Sequence, residues 1–295
     1  MRSPGRQRGV ALLSVLLITA LVTVIVSHML ARQRLSLHSS ANLVQHQQLW
    51  QLALSGESWA RQQILAQARR ENGLQVVHPG QPWAEPAPVM DIEGGRIHIE
   101  LEDLGARLNL NSLRRPNDLL ASARYQRLLA LLGVRAHDPA LLSSQRGRDG
   151  KPLPLSDISE LRQLPQVDAA ALEKLRPVLT AGPASALNIN TASALLLASL
   201  EGLDQATASN LVKARPEAGF PSVQAFLDHP MLAGRDIKAR GLAVGSQQFR
   251  ATIDVELDGR RLRLVSDLRS IDGKTLRVEQ RHLLPNPAKA DRPNE

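Results

Sequence analysis

From Val10 to Leu30 the sequence VALLSVLLITALVTVIVSHML carries no formal charge, and this run constrains the architecture more than any other feature. As a helix rising ~1.5 Å per residue it spans ~30 Å, the thickness of a bilayer's hydrocarbon core. Only a helix satisfies all of its backbone polar groups within one such segment. Arg2, Arg6 and Arg8 precede it, so the positive-inside bias puts the N-terminus in the cytoplasm. Everything after about Arg32 then lies outside, in the periplasm of a two-membrane cell. A cleaved secretory signal is the alternative. Its apolar region is ~7–15 residues long and ends in small-x-small, whereas this run is longer and ends in His28-Met29-Leu30-Ala31.

The helical signal continues past the span. No glycine follows until Gly56 and no proline until Pro79, while Leu43, Trp50, Leu54 and Trp59 to Leu65 recur at near-helical spacing. One helix over residues 10–70, ~90 Å long, accounts for the pattern. Its apolar first half must then meet lipid or other helices of its kind. A plain membrane anchor with a stalk gives the same periodicity.

The rest of the 295 residues is a folded region of one or two lobes, since 43% of the chain is hydrophobic. Aromatic residues make up only 2%, so aliphatic packing fills the interior and stacking platforms for bases or sugars are scarce. The net charge of +8 is spread along the chain and interleaved with acids, which reads as a solvated surface. Without cysteine there is no disulfide, thiolate metal site or cysteine nucleophile.

Residues 71–112 begin an α+β domain. The stretch HPGQPWAEPAP at 78–88 predicts an extended connector, and Val89 to Leu101 predicts a hairpin turning at Glu93-Gly94-Gly95-Arg96. Residues 113–243 read as helices punctuated by Gly and Pro, several of them opening on Ser, Thr or Asp as caps should. Alternating strands return over 244–284, with an Asp258-Gly259 turn, and 285–295 reads as a disordered tail. The flanking hairpins are too small to stand alone, which implies one antiparallel sheet interrupted by a large all-α insert.

Within the insert, LRQLPQVDAAALEKL at Leu161 to Leu175 matches LASLEGLDQATASNL at Leu197 to Leu211 with a constant offset of thirty-six residues. This resembles the paired helix-hairpin-helix modules of DNA-binding proteins, including competence DNA receptors. There a Gly-x-Gly turn offers backbone N–H groups to a phosphate. Here the turns read Gln166-Val167-Asp168 and Gly202-Leu203-Asp204. An aspartate at each phosphate position opposes an anionic ligand, so no nucleic acid is expected and a helical scaffold is favoured. A membrane-tethered DNA-binding module stays as the alternative function.

The order RQRGVALLSVLL at residues 6–17 is similar to the leader of type IV pilins and type II secretion pseudopilins. The resemblance implies a prepilin peptidase cut between Gly9 and Val10, removal of residues 1–9, and N-methylation of Val10. Two departures stand out: Val10 replaces the usual Phe, and Ser14 replaces the usual fifth-position Glu. In that family the Glu neutralises the amino terminus of a neighbouring subunit, since an unpaired charge in hydrocarbon costs several kcal/mol. A subunit with nothing above it needs no such partner. With LNLNSL at Leu108 to Leu113, SDISEL at Ser156 to Leu161, LNINTA at Leu187 to Ala192 and FPSVQAFL at Phe220 to Leu227, the whole chain resembles the minor pseudopilin K family.

That resemblance implies a non-enzymatic, single-pass inner-membrane protein with a pseudopilin-like sheet and a bulky insert. It would sit at the filament tip with minor pseudopilins I and J. Some members bind calcium in the insert, but Asp149, Asp157 and Glu160 are too few for its six to eight oxygen ligands, so no metal or other cofactor is expected. No phosphate-binding loop, dinucleotide fingerprint, nucleophile elbow or zinc-protease motif is present, and the histidines are scattered singly. Asn109, Asn111, Asn188 and Asn190 are expected to cap turns, not to bind a ligand.

Overall fold

The computed structural model describes residues 7–71, 73–114, 118–142 and 153–284, and the chain divides between Leu52 and Ala53 into two compact units. Most of the expected leader, Asp149, and the expected disordered tail at 285–295 lie outside the described residues.

Helix α1 (Gln7–Arg70) runs 64 residues. In the first unit it carries Leu12–Leu30, long and apolar enough to cross a membrane and with none of the window buried. Its two span threonines turn inward. Thr19 Oγ1 donates to Leu16 O at 2.9 Å and Thr23 Oγ1 to Thr19 O at 2.7 Å, so neither hydroxyl faces hydrocarbon unsatisfied.

In the second unit the last turns of α1 bury Ala53, Gly56, Glu57, Ala60, Ile64, Gln67 and Ala68, a stripe at three- and four-residue steps. The stripe packs on the inner face of a five-stranded antiparallel sheet. Its strands are β1 (Met90–Ile92), β2 (Gly95–Asp103), β7 (Gln248–Leu257), β8 (Arg260–Ser270) and β9 (Leu276–Leu284), in that spatial order. Alternation sends Ile97, Ile99, Phe249, Ala251, Ile253, Val255, Leu262 and Leu264 inward. Asp258 and Gly259 join β7 to β8 with both φ angles positive, as a two-residue turn matching the strand twist requires.

Between β2 and β7 lie β3 (Leu108–Asn109), α2 (Leu119–Leu131), α3 (Ala169–Leu175), β4 (Leu179–Thr180), β5 (Leu187–Asn188), α4 (Ala194–Ala198), α5 (Gln205–Lys213), α6 (Val223–Leu227) and β6 (Leu242–Ala243). These elements share a core of their own, centred on Leu110, Leu128, Leu161, Leu172, Leu175, Leu197, Leu211 and Phe226.

Three sequence expectations are corrected. The insert is not all-α, because β3 pairs with β4 and β5 with β6 in two-residue parallel ladders. Such short strands carry no readable alternation and form because the adjoining asparagines close the loops around them. Within the helical reading of 113–243, the SDISELRQL segment is a 3-10 turn (Ile158–Gln163) instead of an α-helix, with its C-cap Leu164 just before Pro165. Residues 78–88 connect helix to sheet but are not extended throughout: a 3-10 turn (Pro82–Ala84) buries Trp83, whose ring meets Phe249 edge-on at 5.3 Å.

Candidate assembly elements

Gly9, Val10 and Ser14 all lie in the first turns of α1, and Ser14 sits among exposed Leu12, Leu13, Val15 and Leu16. Val10 and Ser14 are four residues apart and therefore on one helix face. Among the described residues nothing covers the apolar surface of Leu12–Leu30, which suits an element that meets lipid or another helix.

The insert is built in two halves on one plan. In the first, Asn109 Oδ1 accepts the Asn111 N–H at 2.9 Å; in the second, Asn188 Oδ1 accepts the Asn190 N–H at 3.0 Å. Asn111 then closes its half. Its amide donates to Leu155 O and Gly182 O at 2.8 and 2.7 Å, and its carbonyl accepts the Leu155 N–H at 2.8 Å. Asn190 does the same with Phe220 O, Val244 O and the Phe220 N–H, at 3.1, 3.3 and 2.8 Å. All four asparagines are buried, and their contacts are internal. After Leu155 and Phe220 the chains stay in step. Asp157 caps the Ile158–Gln163 turn and Ser222 caps α6.

The thirty-six-residue repeat lies inside these halves. Asp168 Oδ1 accepts the Ala171 N–H and Asp204 Oδ1 the Thr207 N–H, both at 2.7 Å, capping α3 and α5. Thr207 also donates its hydroxyl to Asp204, and its two bonds hold that carboxyl below the usual range. Arg235 bonds Gly202 O, Asp204 and Thr207 Oγ1. At the second copy, Arg235 thus crosses from outside the repeat to the Gly202-Leu203-Asp204 turn.

Asn109 donates to Pro183 O and Ser185 Oγ in the link between halves, whereas Asn188 donates to Val77 O and to the Asp103 carboxylate. Asn188 thus ties the insert to the sheet. A second tie joins the two halves: Arg124 of α2, its side chain almost wholly buried, grips Glu201 through Nε and Nη2 at 2.7 and 2.9 Å. It also donates to Arg240 O and Lys238 O, each at 2.7 Å. Burial pushes the Glu201 carboxyl up, but its bonds to Arg124 and to backbone outweigh that and hold it low. Asp118, which caps α2, pairs with Arg240 beside this clamp.

The outer face of the sheet is a lattice of ion pairs. Arg96 and Arg261 flank Glu256, Arg263 grips Asp254 at 2.6 and 2.5 Å, and Arg250 grips Asp267 at 2.7 and 2.9 Å. Four of the chain's scattered arginines are paired in this way.

Asp157 and Glu160 form a reciprocal cap. Asp157 accepts the Ser159 N–H, and Glu160 accepts from Ser156 and Asp157. Burial raises the Asp157 pKa, yet its bonds to Ser159 bring it below the ordinary value. Among the described residues no three His, Asp or Glu side chains gather as a metal ion needs. His137 is structural. Its Nδ1 donates to Arg135 O at 2.8 Å, so Nε2 accepts the Tyr125 hydroxyl at 2.7 Å.

Sequence reasoning located the asparagines and both capping aspartates. It missed Arg124, Glu201 and Asp103, whose partners are distant in the chain; a basic residue within the apolar helical pattern LLASARYQRLLALLG was the one available signal for Arg124.

The family model described as Type II secretion system (T2SS), protein K matches residues 187–245, the whole second half of the insert. A protein K of Pseudomonas aeruginosa is 34% identical over 94% of this chain and 93% of its own length. One from Klebsiella pneumoniae is 32% identical over 94% and 96%. Among solved structures, a GspK–GspI–GspJ complex from enterotoxigenic Escherichia coli contains a chain that superposes with a TM-score of 0.70 at 26% identity. That match covers 83% of this chain and 99% of the other.

Proposed function

This chain belongs to the type II secretion system protein K family and is a minor pseudopilin of that machinery; we propose that it occupies the filament tip, where it initiates and caps assembly for protein export across the outer membrane. The observation that carries this reading is the pairing, in one chain, of an uncovered apolar helix with a sheet interrupted by a bulky insert. The helix enters the filament as any subunit's would. The insert obstructs another subunit from stacking above. Ser14, in place of a fifth-position acid, suits a subunit that has no amino terminus above it to neutralise.

On this reading prepilin peptidase cuts between Gly9 and Val10, Val10 is N-methylated, and the helix anchors the protein in the inner membrane with the folded region periplasmic. Minor pseudopilins I and J are its partners, a reading supported by the Escherichia coli complex, which contains GspI and GspJ beside GspK. We assign it no catalysis.

The two Asp-capped turns are read as paired helix-hairpin-helix-like units whose ligand position has been closed. The insert accordingly works without nucleic acid, and also without calcium at Asp157 and Glu160, whose carboxylates already serve backbone N–H groups. Elemental analysis of purified protein checks the second point, and a stoichiometric ion would overturn it.

Intact mass and N-terminal sequencing of the membrane-purified protein test the assignment of the leader. A chain starting at methylated Val10 supports it, and Gly9→Leu should then leave the leader attached. A start beyond Ala31 means a secretory signal and removes the filament argument. An intact Met1 sinks the processing step, and binding of residues 32–295 to DNA at graded salt is then the measurement that favours the tethered DNA-binding alternative.

A further inference from the structure

Asp103 ends β2 with 3% of its surface exposed. Its Oδ1 accepts the Gly105 N–H at 2.7 Å, and its Oδ2 accepts Asn188 Nδ2 at 2.8 Å and the Thr191 hydroxyl at 2.6 Å. These donors come from two stretches of chain that meet here: the turn after β2 and the start of the insert's second half. Every donor is neutral.

The titratable groups on the surrounding elements are Glu102 beside it on β2, Arg107 past the turn, His78 in the connector and Arg250 on β7. Arg107 grips Glu102, Arg250 grips Asp267, and neither cation bonds Asp103. An ionised carboxylate enclosed without a cation loses its hydration, and neutral donors restore only part of it. Burial accordingly lifts its pKa above the ordinary carboxylate value, with the hydrogen bonds opposing the rise.

We propose that this cluster is a pH-sensitive joint between sheet and insert: opening that admits water to Asp103 is favoured while the carboxylate is ionised and opposed once it holds a proton. The sign follows from linkage. The closed joint binds the proton more tightly than the open one, whose carboxyl titrates near the model-peptide value of 3.8. Between that pH and the higher value of the closed state, each unit rise in pH favours opening by up to about tenfold. The joint tightens in acid and loosens toward alkali, opposite to a domain held together by salt bridges.

Hydrogen exchange of the full chain in detergent micelles, followed from pH 4.5 to 7.5 and corrected for the intrinsic exchange rate, reads the opening directly. Peptides covering residues 103–107 and 187–192 should open more readily as pH rises, and Asp103→Asn should make that opening independent of pH. Thr191→Val keeps the carboxyl but removes one donor, so it should move the end of the rise to higher pH; it also keeps the test valid if Asp103→Asn fails to fold. Opening that stays flat, or falls as pH rises, in the unmodified protein overturns the proposal. So does an unchanged slope in Asp103→Asn or an unchanged profile in Thr191→Val.

Discussion

Gly56 of α1 lies so close to Ile253 of β7 that a methyl group on its α-carbon would stand 2.7 Å from Ile253 Cγ2. The helix rests on the sheet at this glycine, with Ile99 also within contact of the missing side chain. Alanine here gains up to ~1 kcal/mol of helix propensity but meets the clash, so the two effects nearly cancel. Leucine gains nearly the same propensity but adds three more carbons to the clash. Gly56→Leu should destabilise the folded region by ~2 kcal/mol or more, measured as a lowered midpoint of thermal unfolding, while Gly56→Ala stays close to the parent.

Glu57, next on the same stripe, is buried against β8 and β9. It accepts the Ser266 hydroxyl at 2.7 Å and a bidentate grip from Arg281 at 2.7 and 2.8 Å. Burial raises its pKa, but the bonds to Arg281 and Ser266 and the charges of Arg281 and Arg61 outweigh that, so it lies below 4.5. A lowered folded pKa contributes stability that is present above the unfolded value and lost as pH falls through the folded one. Denaturant midpoints should therefore drop on acidification below about pH 4.5, and less steeply in Glu57→Gln. Arg281→Gln leaves the carboxylate buried without its cation and should cost ~2 kcal/mol at neutral pH, moderated by the partial exposure of Arg281.

Asn111 and Asn190 each make three side-chain hydrogen bonds that close one half of the insert. Asn111→Ala orphans two carbonyls and one N–H and should cost ~2–4 kcal/mol. Asn190→Ala orphans the Phe220 carbonyl and N–H, while Val244 O keeps the Val77 N–H, so its cost should fall toward the lower end of that range. Urea unfolding of the single variants checks this, and a negligible change in either would contradict the closing role.

Arg124 meets four acceptors in a planar fork, two of them on Glu201. Lysine keeps the charge but cannot reproduce the fork, so Arg124→Lys should lose ~1–2 kcal/mol. Exchange should rise in the segments around Glu201 and Lys238 before it rises in the sheet. Uniform exchange across the domain would count against a local clamp.

The parts of this architecture that the sequence made legible are those with a period. The two-residue alternation of RRLRLVSDLRS gave β8 as it stands, and the uncharged run gave the apolar helix. What stayed hidden depends on partners far along the chain. Trp83 looked like part of a proline-rich linker because nothing near it in sequence announces Phe249. The LNLN and LNIN stretches read as turn caps, which they are. Their pairing into ladders depends on Leu179–Thr180 and Leu242–Ala243, segments too short to signal a strand.

The pairing of β2 with β7 also fixes a timetable. A chain delivered in order from its N-terminal end presents the β1–β2 hairpin early, yet every partner from Leu257 back to Phe249 arrives only after the whole insert. Each half of the insert can close on its own asparagine as soon as Gly182 or Val244 has emerged. The insert is thus free to fold while the hairpin waits with one edge unpaired. The longer the insert takes to emerge, the longer that edge stays open to the wrong neighbour, which makes the speed of delivery a determinant of yield.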